Sequence, residues 1–277
     1  MVNSVNTNAS AMIALQNLNA TQKDLEATQN RVSTGLKIAG AKDNAAVFAV
    51  AQGMRGDSAA LGVVKLSLDR AQSIGDVAIA AAETISDLFI QLREKAVAAM
   101  DDSIDNAART AYEADFQSIV SQVKQIIDDA KFDGANLLDN SSPGGIDFIA
   151  DAEGVDTLTL PTEDFSFSGA IITLTNAADL TSAANASSAM SAINASLTNI
   201  NGALARLGAA TKQIENHASF VTRLQDTLTA GVGNLVDADL AKESAKLQAL
   251  QVKQQLGVQS LSIANQSPQT ILSLFQN

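Results

Sequence analysis

The chain has 277 residues and a formal net charge of −12, and it contains neither cysteine nor tryptophan. Aromatic residues make up only 4% of it, a composition typical of thin helical bundles with small side chains at their contacts. The lack of cysteine excludes disulfide and thiolate chemistry, and the acidic balance argues against nucleic acid as a partner.

The first segment, residues 1–34, predicts a helix with a polar start. Val5, Met12, Leu15, Leu18, Leu25 and Val32 form a loose apolar stripe, in which Leu18, Leu25 and Val32 are spaced by seven. Gly35 and Gly40 are expected to break this helix. The segment has no basic start and no apolar core, so we expect no cleaved signal peptide, and no membrane partner because no run approaches the ~18 apolar residues of a span.

Two further helices are predicted before residue 131. The first follows Asp43, the expected N-cap, and small or apolar residues recur in it at alternating steps of three and four. Such a 3.5-residue period indicates a left-handed supercoil with a partner helix. The seam consists of Leu61, Val64, Leu68, Ala71, Gly75, Ala78, Ala82, Ile85, Phe89, Leu92, Ala96 and Ala99. The other helix runs from about Ala107 to Ala130, with Phe116, Ile119, Val123, Ile126 and Ala130 on one side.

The middle of the chain differs in character. Residues 132–179 hold nine acidic residues and no lysine or arginine, and Ser141–Gly145 is a turn cluster containing Pro143. Asp156–Leu160 and Ile171–Leu174 are predicted as short strands. This segment is expected to be a small, solvated, β-containing excursion.

Two helices are predicted in the last third. One starts near Ala183, and its seam has the same period as the second helix, so the two are expected to pair. Gly231 and Gly233 are expected to interrupt it, mirroring Gly35 and Gly40. The last helix has one narrow apolar stripe and is expected to restart at Ser267–Pro268. The stripe comprises Val236, Leu240, Leu247, Leu250, Val258, Leu261 and Ala264.

Charge supports a role for the ends in assembly. Residues 1–34 carry Lys23 and Arg31 against Asp24 and Glu26, and residues 235–277 carry three lysines against three acids, so both ends are neutral. The whole charge of −12 therefore lies between residues 35 and 234. A striped helix needs a partner to cover its stripe. The predicted fold is mostly α: a long antiparallel helical rod, with paired terminal helices forming a coiled coil and a small β-containing middle insert.

No constellation of catalytic or metal-binding residues is apparent. His217 is the only histidine, and it lacks the neighbours of a zinc or catalytic motif. The acidic middle does not follow EF-hand spacing, and no phosphate-binding glycine motif is present. We therefore expect no enzyme activity, no cofactor and no metal.

Several motifs resemble the bacterial flagellins. They are Ser33–Ile38 with Ala41–Ala46, Lys131–Leu138, Leu207–Ala209, Leu261–Gln266 and Ile271–Phe275, which resemble blocks of that family in the same order. The run from Gly233 to Gln251 and the short middle are most similar to compact, Caulobacter-type flagellins of alphaproteobacteria. Asn44 and Val47 depart from the usual Asp and Gly of the N-terminal block.

The resemblance implies a filament subunit for cell motility, exported unfolded by the flagellar type III apparatus to an extracellular filament. It implies coupled folding and assembly, in which Leu272, Leu274 and Phe275 join the striped residues in the core. The implied partners are other flagellin subunits, paralogues among them, the export apparatus with a cytosolic chaperone, and the cap and hook-junction proteins. The expected layers are residues 1–34 and 235–277 (core), 35–140 and 181–234 (rod) and 141–180 (outer insert).

Two positions depart from a family motif. Flagellins sensed by the vertebrate Toll-like receptor carry Arg-x-Arg-Glu-Leu on the second helix, whereas this chain has Gln91 and Lys95 at its first and last positions, so we expect poor sensing. Two alternatives remain open from sequence. A hook–filament junction protein would share flagellin-like ends, and a chemoreceptor signalling hairpin would share the heptads but is expected to have membrane spans.

Overall fold

The computed structural model describes the backbone of residues 7–274 and the side chains of residues 7–266. Helices dominate this part of the chain, and its strands are short, so the mostly α prediction is confirmed. The elements in chain order are α1 (Ala9–Thr34), α2 (Ala45–Ala99), α3 (Asn106–Asp129), β1 (Lys131–Phe132), β2 (Ala135–Asn136), β3 (Ile146–Ile149), β4 (Thr157–Leu160), α4 (Ala183–Val236) and α5 (Leu240–Leu274).

The chain divides into two compact units. One contains residues up to Gly56 together with those from Thr227 onward, and the other contains Asp57–Asp226. The first unit holds α1, α5, the start of α2 and the end of α4. The second holds the rest of α2 and α4, with α3 and the strands.

In the second unit, α2 and α4 pack antiparallel along the predicted seam. All twelve seam positions named for α2, from Leu61 to Ala99, are buried. Gly62 lies beside Gln225, and Gly75 lies beside Thr211, so residue numbers rise on one helix as they fall on the other. On α3 the buried stripe is Phe116, Val120, Val123 and Ile127, whereas Ile119 and Ile126, which the sequence favoured, are half-buried.

Two antiparallel hairpins form the middle excursion. β1 pairs with β2 through a tight turn in which Asp133 and Gly134 have φ of 49° and 80°, and β3 pairs with β4 with Ile146 opposite Leu160. The predicted strand at Ile171–Leu174 is wrong, because only Ile172 forms an isolated bridge, with Phe167. Thr173 bonds instead to Ser196 and Ala192 of α4, and these contacts replace a strand ladder.

The excursion is held against α4 by polar contacts. Glu163 is 7% exposed and accepts two hydrogen bonds of 2.6 Å from the Arg206 guanidinium. These bonds raise the pKa of Arg206 above its usual value. The Nε2 atom of His217 lies 2.7 Å from the carbonyl oxygen of Ala150. His217 therefore fixes the β3–β4 hairpin to the helix.

Three predicted helix boundaries are wrong. The N-cap of α2 is Asn44, whose Oδ1 accepts from the N–H of Val47 at 3.2 Å, while Asp43 accepts from two N–H groups of the preceding loop. α4 runs through Gly231 and Gly233 to Val236, since an interior glycine costs only ~1 kcal/mol against alanine. α5 likewise continues through Pro268 without a restart, because the preceding turns already fix the helix, although a proline there costs ~3 kcal/mol.

Candidate self-assembly site

Helices α1 and α5 of the first unit form an antiparallel pair. The Nδ2 atom of Asn8 donates to the carbonyl oxygen of Ala264 at 2.7 Å, near the free end of α1. At the other end, Nη1 of Arg31 lies 3.5 Å from Oε1 of Glu243. Between them, Leu18 packs against Gly257, where an added Cβ would lie 3.2 Å from Cδ1 of Leu18. The pair therefore has one defined register over its described length.

The pair shares a seam with a seven-residue repeat. Burial recurs at steps of three and four on both helices, but many of the residues are small or polar, so little apolar area is covered. A thin seam of this kind leaves a helix pair marginally stable by itself. The seam comprises Ala11, Ala14, Leu18, Thr21, Leu25 and Thr28 on α1, and Glu243, Leu247, Leu250, Gln254, Gly257, Leu261 and Ala264 on α5.

The outer faces of the pair remain apolar and exposed. On α1, Met12 and Ile13 are 65% and 61% exposed, and Leu15 is exposed as well. On α5, Leu256 and Ile263 are 61% and 63% exposed, and Val252 and Val258 are exposed too. Apolar clusters of this kind mark surfaces that another molecule covers.

A junction anchors the pair where α1 and α4 end. Gly35 ends α1 in the left-handed conformation with φ of 71° and donates to the carbonyl oxygen of Arg31. Backbone bonds then join the two connections, from Lys37 N–H to Val236 O at 2.7 Å and from Ala238 N–H to Gly35 O at 2.8 Å. A small apolar cluster fills this junction: Ile38, Ala51, Val232 and Val236, with Leu36, Val47, Phe48, Met54 and Leu235 packed against it.

The structure separates the predicted assembly residues into three groups. Those on the α1–α5 seam or beside it are Leu18, Leu25, Val32, Leu247, Leu250, Leu261 and Ala264. Val236 belongs to the junction, and Leu240 and Val258 are exposed, at 49% and 54%. Leu272, Leu274 and Phe275 fall where the structure describes no side chain.

The receptor-motif positions lie in the second unit. Gln91 is exposed on α2. The Nζ atom of Lys95 lies 2.7 Å from Oδ2 of Asp115 on α3, and this hydrogen bond raises the pKa of Lys95. Lys95 also lies 6.0 Å from the centre of the Tyr112 ring. The departure from the family motif is therefore part of the packing between α2 and α3.

Sequence reasoning missed the polar members of the seam. Thr21, Thr28 and Glu243 occupy heptad positions, but a search for apolar residues alone passes over them. Including the heptad positions three residues after Leu18 and Leu25, whatever the residue type, would have found Thr21 and Thr28. The predicted stripe of α1 also included Met12 and Leu15, and this is wrong, because both are exposed and lie outside the seam.

The described residues include no other candidate site. Over residues 7–274, no three His, Asp or Glu side chains are grouped in a way that could hold a metal ion. No helix within that range has both the length and the apolarity of a bilayer-spanning segment.

Comparison with known proteins identifies the family. The model for the bacterial flagellin N-terminal helical region matches residues 5–142, and the model for the flagellin C-terminal helical region matches residues 190–275. The chain is 48% identical to flagellin FljK and 47% identical to flagellin FljJ of Caulobacter vibrioides, and at least 99% of each chain is covered in both cases. It is 39% identical to a flagellin of Brucella melitensis, with 99% of both chains covered.

A solved structure, the crystal structure of Bacillus cereus flagellin, aligns with a TM-score of 0.48 and 21% identity over 56% of this chain and 88% of that one. The full-length relatives described above are flagellins and do not favour the junction-protein or chemoreceptor alternatives. The chain belongs to the bacterial flagellins, the structural subunits of the flagellar filament outside the cell, and among them it is of the Caulobacter type.

Proposed function

We propose that the chain enters the filament through the outer faces of its α1–α5 pair, which pack against the same pair in neighbouring subunits. One observation carries this proposal: the pair covers a thin seam and leaves large apolar residues exposed on both helices, Met12 and Ile13 on α1 and Leu256 and Ile263 on α5. Complete burial of one such side chain contributes ~1.5–3 kcal/mol. Covering all four would therefore stabilise the pair by ~6–12 kcal/mol in the filament.

The thin seam supports coupled folding and assembly. Ordering a residue costs ~1–2 kcal/mol of conformational entropy, and a seam in which eight of thirteen residues are small or polar offsets only part of it. The α1–α5 pair then becomes fully ordered only when neighbouring copies cover its outer faces. The interface is heterologous, since different surfaces of one subunit meet, and such an interface extends into an open helical polymer.

The layer arrangement follows from this role. Residues 1–34 and 235–277 form the filament core, residues 35–140 and 181–234 form the rod layer around it, and residues 141–180 face outward. The acidic excursion supports the last assignment, because residues 132–179 hold nine acids without a lysine or arginine and such a segment favours solvent.

Export and further partners belong to the same proposal. The chain leaves the cell unfolded through the flagellar type III apparatus, with the help of a cytosolic chaperone. It then meets the cap and the hook-junction proteins. The absence of cysteine supports this route, since no disulfide has to be reduced before unfolding. Paralogous subunits are expected to copolymerise with it.

Filament growth tests the central claim. Monomers dissociated by heat are added to filament seeds, and elongation is followed by light scattering and electron microscopy. The double variant Leu256→Ser, Ile263→Ser is expected to elongate at least about tenfold more slowly, because each loses more than ~1 kcal/mol of burial in the filament. Val155→Ser is the matched control, since Val155 is 75% exposed but lies on the excursion.

Equal elongation by the double variant and the control would refute the proposal. Circular dichroism separates slow elongation caused by the lost apolar faces from misfolding, because Val155 is 75% exposed and neither substituted α5 residue belongs to the second unit. Its cooperative melting is therefore expected to be unchanged in all three proteins.

A further inference from the structure

One layer of the α1–α5 seam combines two polar seam residues, Thr28 and Glu243, with Arg31, which lies beside the seam. Arg31 and Glu243 approach to 3.5 Å, with 32% and 13% of their side chains exposed. Thr28, one turn earlier on α1, is 1% exposed. Two atoms of the layer, Oγ1 of Thr28 and Oε2 of Glu243, are buried without a hydrogen-bond partner among the described residues. We call Thr28, Arg31 and Glu243 the polar layer.

The polar layer costs stability where it lies. A buried, half-satisfied ion pair is often less favourable than apolar residues of similar size, because desolvation of the charges exceeds their attraction. Every other seam residue is neutral. Both helices carry large apolar side chains on their exposed faces, so apolar residues of similar size occur elsewhere on these helices but not in this layer. The layer therefore needs a role other than strengthening the pair.

We propose that the polar layer fixes the register in which α1 pairs with α5. A seven-residue repeat of leucines and small residues is compatible with pairings that are shifted by one heptad, since seam positions again face seam positions. In the observed register, Leu18 faces Gly257 and Arg31 faces Glu243. A shift of one heptad would place Leu18 opposite Leu250 or Ala264, both of which are seam residues.

Neither shifted pairing satisfies Glu243. If Leu18 faces Leu250, Glu243 lies at the level of Asp24, and Arg31 lies at the level of Val236, before α5 begins. If Leu18 faces Ala264, Glu243 lies at the level of Ile38, beyond the end of α1. Lys23, the other basic residue of α1, is exposed and off the seam. Only the observed register gives the buried carboxylate a cation.

The position of the layer suits this role. It lies within a turn of the junction, where backbone bonds join Gly35 to Ala238 and Lys37 to Val236. Pairing that begins at the junction reaches the polar layer before the thin remainder of the seam. A correct start therefore commits the rest of α1 and α5 to a single alignment, and thereby to a single set of outer faces.

Cysteine cross-linking reads the register directly, because the chain has no cysteine of its own. Leu18→Cys is combined with Gly257→Cys to report the observed register, or with Ala264→Cys to report a shift of one heptad. Each reporter chain is copolymerised with a large excess of the cysteine-free chain, so that disulfides form within one subunit. Cross-linked peptides are quantified by mass spectrometry after mild oxidation.

In the otherwise unchanged chain we expect the Gly257→Cys reporter to cross-link and the Ala264→Cys reporter to remain reduced. Adding Arg31→Leu with Glu243→Leu is expected to raise the shifted cross-link at least about fivefold relative to the observed one, as apolar side chains remove the preference. The matched control is Lys212→Leu with Glu215→Leu, an exposed pair on α4, which is expected to change neither cross-link.

Charge reversal provides a second measurement if the apolar variant fails to assemble. Arg31→Glu and Glu243→Arg are each expected to reduce the Gly257→Cys cross-link, and their combination to restore it. An unchanged cross-link pattern in the apolar variant, or no rescue by the combination, would overturn the proposal and leave register to the junction alone. Absence of the Gly257→Cys cross-link in the unchanged filament would instead contradict the proposed function.

Discussion

Substituting Gly75 tests how tightly α2 and α4 pack in the second unit. Gly75 is buried on α2, and a Cβ built there would lie 2.5 Å from Oγ1 of Thr211 and 3.3 Å from its Cγ2. Thr211 is β-branched and 8% exposed, on a helix, so its side chain has little freedom to move away. The contact explains why the regular seam of α2 has a glycine at this position.

The expected effect of Gly75→Ala is the balance of two contributions. Alanine favours a helix over glycine by ~1 kcal/mol, whereas inserting a methyl group into a packed contact costs ~1–3 kcal/mol. We therefore expect a net loss of up to about 2 kcal/mol in the free energy of unfolding. Gly208→Ala is the matched control on α4, because nothing lies within 4 Å of its added Cβ. That variant should gain up to ~1 kcal/mol.

A double-mutant cycle with Thr211→Ala isolates the contact. Among the described residues, Oγ1 of Thr211 is buried without a hydrogen-bond partner. Its removal relieves a desolvation cost while losing one methyl group, so the single change should be nearly neutral. The double variant is then expected to recover the helix gain, with a coupling energy of ~1–2 kcal/mol. Urea unfolding followed by circular dichroism measures the four proteins of the cycle and the Gly208→Ala control. Stabilisation by Gly75→Ala equal to that by Gly208→Ala would refute the reasoning.

Three further predictions concern the second unit. Hydrogen bonds from Thr181 and Asn185 lower the pKa of Asp179, so Asp179→Ala should reduce the free energy of unfolding at pH values above the ordinary carboxyl pKa. The difference between the two proteins should vanish as the pH falls through the lowered pKa of Asp179, and unfolding measured over a range of pH would show this. Arg206→Met should leave Glu163 buried and unpaired, lowering unfolding free energy by ~1–3 kcal/mol in urea titrations, whereas adding Glu163→Gln should recover part of it. Gln91→Arg with Lys95→Leu should increase activation of receptor reporter cells by monomer, and strong activation by the unchanged chain would contradict the expected poor sensing.

The α2 seam shows where sequence was sufficient. Its twelve predicted positions are all buried, because a heptad repeat in a long helix requires a continuous partner and α4 carries the same period. The terminal helices were harder to interpret. Their apolar residues are spread around each helix, so the pattern does not say which of them face the other helix of the pair. The division between Leu18 on the seam and Met12 outside it depends on the pairing register, which is a property of both helices together.

Two predictions from local sequence patterns were wrong because a competing contact decided the structure. Asp43 and Asn44 are both good N-caps, and the chain uses Asn44 because Asp43 is engaged by the N–H groups of Ala39 and Gly40. The apolar run Ile171–Leu174 has a strand-like composition, but its backbone is taken up by α4, where Nδ2 of Asn199 donates to Ile171 O at 3.3 Å. The competing donors lie three and four residues before Asp43 in the first case, and 28 residues away on α4 in the second. Only the second partner lies outside the window that a sequence pattern covers.

The glycines give the same lesson about close packing. Gly35 ends a helix because its φ of 71° suits glycine. Gly231 lies inside α4, where an added Cβ would be 2.6 Å from Cε of Met54, so it marks a close approach rather than a break. Gly257 on α5 likewise makes room for Leu18. A glycine in a heptad chain can end a helix or admit a neighbour, and only the identity of the neighbour distinguishes the two. This ambiguity made Gly231 look like the mirror image of Gly35, although the chain leaves α4 five residues later, after Val236.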